Sequence, residues 1–228
     1  MPVLMHEQKY AYFPVPKCAC TSLKHFFFEI ENGFRFKSYK VNGRPRHIHN
    51  AAYPSNEFNA YMQDATKDMH CVAVVRDPIS RVLSCYANRV LHHRELDNVA
   101  LTDKDKERGM TQRPTLDLFL RFFRRYRELS GPIAHHSRSL SYFLGKDSSF
   151  FHRIYDVSQV GQMIEDMKVW FRSVPELRRM QKSGLKLTAA DLSPKQIAKV
   201  KNLFAEDYEV FGDFFKHTDI NEPRLARI

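Results

Sequence analysis

Five successive apolar residues, Cys71-Val72-Ala73-Val74-Val75, constrain the fold more than any other segment, because they leave a strand no polar face. Such a strand must be covered on both sides, as an interior strand of a parallel sheet is by its flanking helices. Asp77-Pro78 directly after it reads as a helix N-cap and first helical residue, and Val82, Leu83 and Tyr86 give that helix an apolar stripe. A second strand-loop-helix precedes it. Lys9 to Val15 alternates aromatic and small residues, Pro16 ends the strand, and Thr21-Ser22-Leu23 opens a helical run through Phe26, Phe27 and Ile30.

Further strands are predicted over Phe34 to Val41 and Phe151 to Val157, and helices over Gln159 to Trp170 and Ser193 to Phe211. Thr115 reads as the cap of another helix, with Leu116, Phe119, Leu120, Phe122 and Phe123 inside and Arg121, Arg124, Arg125 and Arg127 on a basic rim. Leu91 to Pro114 is dense in charge and reads as a mobile surface loop. This alternation implies an α/β fold: one domain over residues 1–228, with a central, mostly parallel sheet flanked by helices. In such folds ligands bind beyond the carboxyl ends of the strands.

The formal charge of +10 implies a surface that attracts anions, without choosing among a nucleotide, an acidic glycan and a nucleic acid. Met1 to Tyr10 has no secretory apolar core, and no later stretch is long and uncharged enough to span a bilayer. A cytoplasmic protein is expected, or a soluble catalytic domain separated from an anchor. Cys18 and Cys20 are too close to bridge comfortably, and Cys71 and Cys85 lie in apolar patterns, so reduced thiols are expected. The second Cys-x-x-Cys that a zinc site would need is missing, and no metal is expected.

Pro16-Lys17-Cys18-Ala19-Cys20-Thr21-Ser22-Leu23 is the main candidate for chemistry. A strand-to-helix junction offers free amides and the positive end of a helix dipole to an anion. Cys18, Ala19 and Cys20 are small enough for a phosphate to approach, Thr21 and Ser22 add hydroxyls, and Lys17 adds a charge. The layout is P-loop-like, but the spelling G-x-x-x-x-G-K-[ST] is absent and here the lysine leads. Arg76 at the end of the apolar strand and Ser84 two turns into the next helix are expected at the same sheet edge, as a phosphate clamp and a hydroxyl donor. Arg81 reads as a solvated helix charge or a cap.

Together Pro16-Lys17-x-x-Cys20-Thr21-Ser22-Leu23 and Arg76-Asp77-Pro78-x-x-Arg81-x-x-Ser84-x-Tyr86 resemble the two signatures with which sulfotransferases bind 3′-phosphoadenosine 5′-phosphosulfate (PAPS). The spelling is closest to the carbohydrate branch. His136 to Leu144 and Phe204 to Gly212 resemble two later segments of that family, with Ser139 and Leu140 standing where the first has Pro-Gln. The resemblance implies that Lys17, Thr21 and Ser22, with the loop amides from Ala19 to Thr21, hold the 5′-phosphosulfate. Arg76 and Ser84 would hold the 3′-phosphate. It further implies in-line transfer of the sulfuryl group to an acceptor hydroxyl, on a glycan or glycoconjugate rather than a nucleic acid, releasing adenosine 3′,5′-bisphosphate without a metal.

The chemistry asks for a base on the acceptor and a cation over the leaving oxygen. Lys17 is the cation. Among the 11 histidines, His47 and His49 stand where related glycan sulfotransferases place a catalytic His or His-x-His pair. His49 is the expected base, with His47 as its partner or substitute on the same face of an extended loop, and His136 in reserve. His92, His93, His135 and His152 are expected to face solvent. Arg44, Arg46, Arg94, Arg121, Arg124 and Arg125 are either an anionic acceptor track or a solvated face. Two other readings are a nucleotide-dependent kinase, which lacks an evident magnesium carboxylate, and a non-catalytic basic module for polyanions, for which charge is the whole case.

Overall fold

The computed structural model describes residues 1–178, 185 and 187–216. Its strands are β1 (Val3–Met5), β2 (Tyr10–Phe13), β3 (Tyr39–Val41), β4 (Arg44–Arg46), β5 (His70–Val75) and β6 (Arg153–Asp156). Four of them form the central sheet in the order β1-β2-β5-β6. β2 pairs parallel to β5 (Ala11 opposite Cys71) and β5 parallel to β6 (Ala73 opposite Ile154), while β1 adds an antiparallel edge. The apolar run Cys71 to Val75 is fully buried inside this sheet. β1 escaped the sequence reading because three residues are too few to declare a period.

Helix α1 (Cys20–Asn32) follows β2, and α2 (Ile48–Ala51) and α3 (Ala60–Ala65) lie before β5. Helix α4 (Pro78–Cys85) follows β5 and continues as a π-helical turn, Tyr86–His92. Then come α5 (Asp103–Glu107), α6 (Leu116–Arg121), α7 (Phe123–Leu129), α8 (Gly131–His136) and α9 (Leu140–Leu144) before β6, and α10 (Val160–Met167), α11 (Pro194–Leu203) and α12 (Ala205–Phe211) after it. One apolar core joins the sheet to α1, α9 and α10 through Phe13, Phe27, Val74, Phe143 and Met163. A second, under α4, α6 to α8 and α11, gathers Leu83, Phe119, Phe123, Tyr126 and Val200. Among the described residues no helix is long and apolar enough to cross a membrane.

Several sequence expectations are corrected. Phe34 to Val41 does not extend the sheet: only Tyr39–Val41 is a strand, and it forms an isolated hairpin with β4. Asn42-Gly43 turns that hairpin with both residues at positive φ, 50° and 73°. Phe34 and Phe36 instead pack edge-on against Phe28 of α1. The helix after Thr115 breaks at Phe122, and the one over residues 193–211 breaks at Phe204, in each case at a residue with non-helical ψ. The segment 91–114 is not a featureless loop. It carries α5, buries Leu96 and Met110, and is tied to α7 by Arg125 on Asp105 (2.9 Å) and by Tyr126 Oη donating to the Thr111 carbonyl (2.9 Å). His135 is half-buried with its ring edge-on to Phe143, unlike the exposed His92, His93 and His152.

Arg81 departs furthest from expectation. Its side chain is 2% exposed and lies 3.7 Å from Asp207 Oδ2, itself fully buried. Arg81 Nη2 also donates to the Arg138 carbonyl (2.8 Å). Asp207 accepts the amides of Leu140 (2.7 Å) and Ser141 (3.0 Å), and so caps α9 from α12. Burial pushes the Asp207 carboxyl above its ordinary value, against the pull of Arg81 and the two amides. Removing one partner of such a pair strands the other charge in the core, which costs about 3–5 kcal/mol. Asp207→Ala should therefore lower the unfolding free energy by about that amount in a urea titration, and Arg81→Met by a similar amount. The double variant Arg81→Met with Asp207→Leu should recover part of the loss. A loss below about 1 kcal/mol for Asp207→Ala would show that the pair does not tie these elements together.

Candidate active site

The loop between β2 and α1 turns in little space. Lys17 and Ala19 both take left-handed φ, 67° and 57°, without a glycine. Each such residue costs about 1–2 kcal/mol, so the surrounding structure must impose the shape. Ala19 is the N-cap of α1 and makes no side-chain capping hydrogen bond to that helix. A 13-residue helix with an uncapped N-terminus is a site for negative charge.

Lys17 is half-buried, and its Nζ donates to Asn88 Oδ1 at 3.0 Å. Burial brings its pKa down to about 8, with Arg89 and Arg76 adding to the effect. Arg76 follows directly on β5, and its charge contributes to lowering both Lys17 and the Cys18 thiol. Ser84 sits half-buried on α4. Asn88 and Arg89 come from the π-helical turn. The wider turn breaks the 3.6-residue period after Cys85, which is why neither residue could be placed from sequence. Arg89 pairs with Glu95 (3.2 Å), donates Nη2 to His136 Nε2 (2.9 Å), and has a buried Nε with no hydrogen-bond partner among the described residues.

His49 faces this loop. Its Nε2 is 3.0 Å from Thr21 Oγ1, and its Nδ1 is 3.1 Å from Lys24 Nζ. The expected extended arrangement of His47 and His49 does not occur, because α2 begins between them. His47 is the exposed N-cap and His49 the second helical residue, with ring centroids 5.8 Å apart. Burial, followed by the charge of Lys24 and then His47, His25 and Arg89, drives His49 down to about 3, so its imidazole is neutral around pH 7. His136 is committed elsewhere: Nδ1 bonds the Pro132 carbonyl (2.8 Å) and Nε2 accepts from Arg89.

Lys24 was missed by the sequence reading. It is fully buried, with Nζ also donating to Ser55 Oγ (2.7 Å), and burial lowers its pKa to about 8. A signal was present: Cys20, Leu23, Lys24 and Phe27 follow the i, i+3, i+4, i+7 spacing of a core-facing stripe, so the lysine occupies a position that periodicity gives to an apolar side chain. Cys18 and Cys85 are buried free thiols, raised by burial to about 12 and about 11, and are not nucleophiles. Of the proposed basic track, Arg44 and Arg46 lie on β4, whereas Arg121, Arg124 and Arg125 line a separate cleft of about 400 Å³ with Arg108 and Lys199. Among the described residues no group of His, Cys, Asp or Glu side chains could hold a metal ion.

Neither the comparison with curated proteins nor that with solved structures returned a match. The family model of the sulfotransferase family, whose members use PAPS, matches residues 3–215, from β1 past α12 and across both the Pro16–Leu23 and the Arg76–Tyr86 segments. This chain is a member of the sulfotransferase family.

Proposed function

We propose that the protein moves the sulfuryl group of PAPS to a hydroxyl of a carbohydrate acceptor, with His49 as general base and Lys17 as the cation at the leaving oxygen. The 3.0 Å contact between Thr21 Oγ1 and His49 Nε2 carries this reading, because it joins the base to a hydroxyl of the anion-binding loop. Bound PAPS supplies an electrophilic sulfur whose leaving group is a phosphate. The uncapped first turn of α1, the cation of Lys17 and the unpartnered Nε of Arg89 suit such an anion.

In this reading Thr21 and Ser22, with the amides from Ala19 to Thr21, hold the phosphosulfate, and Arg76 and Ser84 hold the second phosphate. Lys17 exchanges its hydrogen bond to Asn88 for the leaving oxygen, and burial strengthens that attraction by excluding water. His49 is neutral at the pH of the reaction and so has a lone pair to offer the acceptor. His47, exposed at the N-cap of α2, supports that helix rather than the proton transfer. The carbohydrate assignment draws on a cleft of about 620 Å³ lined by Phe28, Phe34, Phe36 and Tyr39 and by Ala51 and Ala52 of α2, the helix that carries His49. Aromatic faces offer apolar surface that the C–H face of a sugar ring can cover.

Adenosine 3′,5′-bisphosphate should raise the melting temperature of the wild-type protein, and Lys17→Ala and Arg76→Ala should each weaken that shift. Lys17→Ala should also slow sulfuryl transfer by about 10²–10³-fold, the usual loss of one preorganised stabilising group. His49→Ala should cut kcat by about 10²–10⁴-fold while leaving nucleotide affinity within about twofold, whereas His47→Ala should retain most activity. Absence of nucleotide binding would refute the proposal, and phosphate transfer from ATP with magnesium in place of sulfuryl transfer would establish a kinase. The acceptor is identified by mass spectrometry of a glycan mixture incubated with enzyme and PAPS, in which a sugar gains one sulfuryl group.

A further inference from the structure

Lys24 is a fully buried amine whose hydrogen-bond partners are neutral: His49 Nδ1 at 3.1 Å and Ser55 Oγ at 2.7 Å. No carboxylate among the described residues bonds or pairs with it. Buried lysines are normally paired, because an unpaired charge inside the protein is costly. The groups that face it and His49 are Cys20 and His25 on α1, His47 at the cap of α2, Arg89 on the π-helical turn, His135 on α8 and the Met1 amino group. Apart from the Cys20 thiol, each is a cation or becomes one on protonation.

Resting on the assignment of His49 as base, we propose that Lys24 is a positioning residue: its proton decides which nitrogen of His49 carries hydrogen, and it receives, through the imidazole, the proton taken from the acceptor hydroxyl. An ammonium has three donors and no lone pair. A charged Lys24 therefore faces a bare Nδ1, and the neutral ring keeps its hydrogen on Nε2, where it donates to Thr21 Oγ1. In that tautomer Nε2 cannot act as a base. A neutral Lys24 has a lone pair and accepts from Nδ1–H, which frees the lone pair of Nε2 for the acceptor.

The transfer then balances. The acceptor O–H bond breaks and Nε2–H forms, while Nδ1–H breaks and Nζ–H forms. The electron pair of the O–H bond stays on oxygen and becomes its bond to sulfur as the bond from sulfur to the phosphate oxygen breaks. The positive charge ends on Lys24, and not on an imidazolium held among Lys24, His25, His47 and Arg89. Ser55, half-buried and bonded to Nζ, accepts from the ammonium and connects it to the surface for the next turnover. The lowered values of Lys24 and His49 agree with this arrangement, since the ring resists charging while the amine gives up its proton within the ordinary pH range.

Nitrogen-15 NMR of the full chain, labelled at histidine and free of nucleotide, tests the tautomer directly. His49 should pass from the Nε2–H to the Nδ1–H form as pH rises through about 8, without becoming imidazolium; because the anionic donor raises the pKa of Lys17 and keeps it charged in the bound enzyme, kcat should rise over the same interval. Lys24→Met should abolish the switch and the inflection of the kcat profile, lowering kcat by about 10²-fold with the KM for the nucleotide within about twofold. Lys24→Arg keeps a donor that does not deprotonate, so it should lock the Nε2–H form and be inactive at every pH while still binding nucleotide. A wild-type His49 that keeps one tautomer throughout, or a Lys24→Met enzyme that keeps the inflection, overturns the proposal. The wild-type spectrum needs no variant to fold. A switch without sulfuryl transfer refutes the catalytic assignment alone, and sulfuryl transfer without a switch refutes the role of Lys24 alone.

Discussion

The carboxylate of Asp207 holds together parts of the chain that are far apart in sequence. It is fully buried, accepts two amides of α9, and lies beside the equally buried Arg81 of α4. Through it the strand-helix unit that carries Arg76 is fixed to the two later segments, 136–144 and 204–212. Tyr208, the next residue, donates to Asp77 Oδ2 (2.8 Å), the N-cap of α4, so the carboxyl end of β5 is held from behind. A buried ion pair contributes little net stability compared with an apolar contact, but it tolerates few alternative arrangements. Here it sets where the segment from Arg76 to Ser84 sits relative to the rest of the domain.

The site itself is built from unfavourable terms that this frame sustains. Lys17 and Ala19 stand in left-handed conformations, Lys17 and Lys24 are held below the usual lysine range by burial, and Arg89 has an unpartnered Nε. Each is unfavourable by itself, and the surrounding structure must sustain it. The second hydrophobic core, which lies under α4 and its π-helical continuation, supplies the rigidity that keeps Asn88 and Arg89 in place.

Local pattern carried the ordered elements well. Cys71 to Val75 had to be an interior strand because no face was polar, and Asp77-Pro78 had to open a helix because the carboxylate caps an amide and proline suits the first turn. The aromatic and small residues from Lys9 to Val15, the apolar run and Phe151 to Val157 all became strands of one sheet, the first and last with shorter limits and the apolar run longer by His70. Where pattern failed, contacts outside the segment itself had decided. Phe34 and Phe36 have the alternation of a strand, yet pack on Phe28, and an Asn-Gly turn closed the hairpin locally. Arg81 has the spelling of a solvated charge, and only the return of α12 from more than a hundred residues away shows it to be buried.

The sequence by itself determined the class of fold, the strand-loop-helix that carries Lys17, Thr21 and Ser22, and the placement of Arg76 at the end of the apolar strand, because these follow from the order of residues over a single turn or strand. Only the tertiary structure decided what surrounds His49. Thr21 and Lys24 lie 28 and 25 residues from it in the chain, and Lys17 reaches across 71 residues to Asn88. The chemistry of a histidine depends on its dielectric surroundings and on which groups meet its two nitrogens. Neither is a property of local sequence, so the residue could be named from its position, while its neutral state and its lysine partner came from the way α1 and α2 pack together.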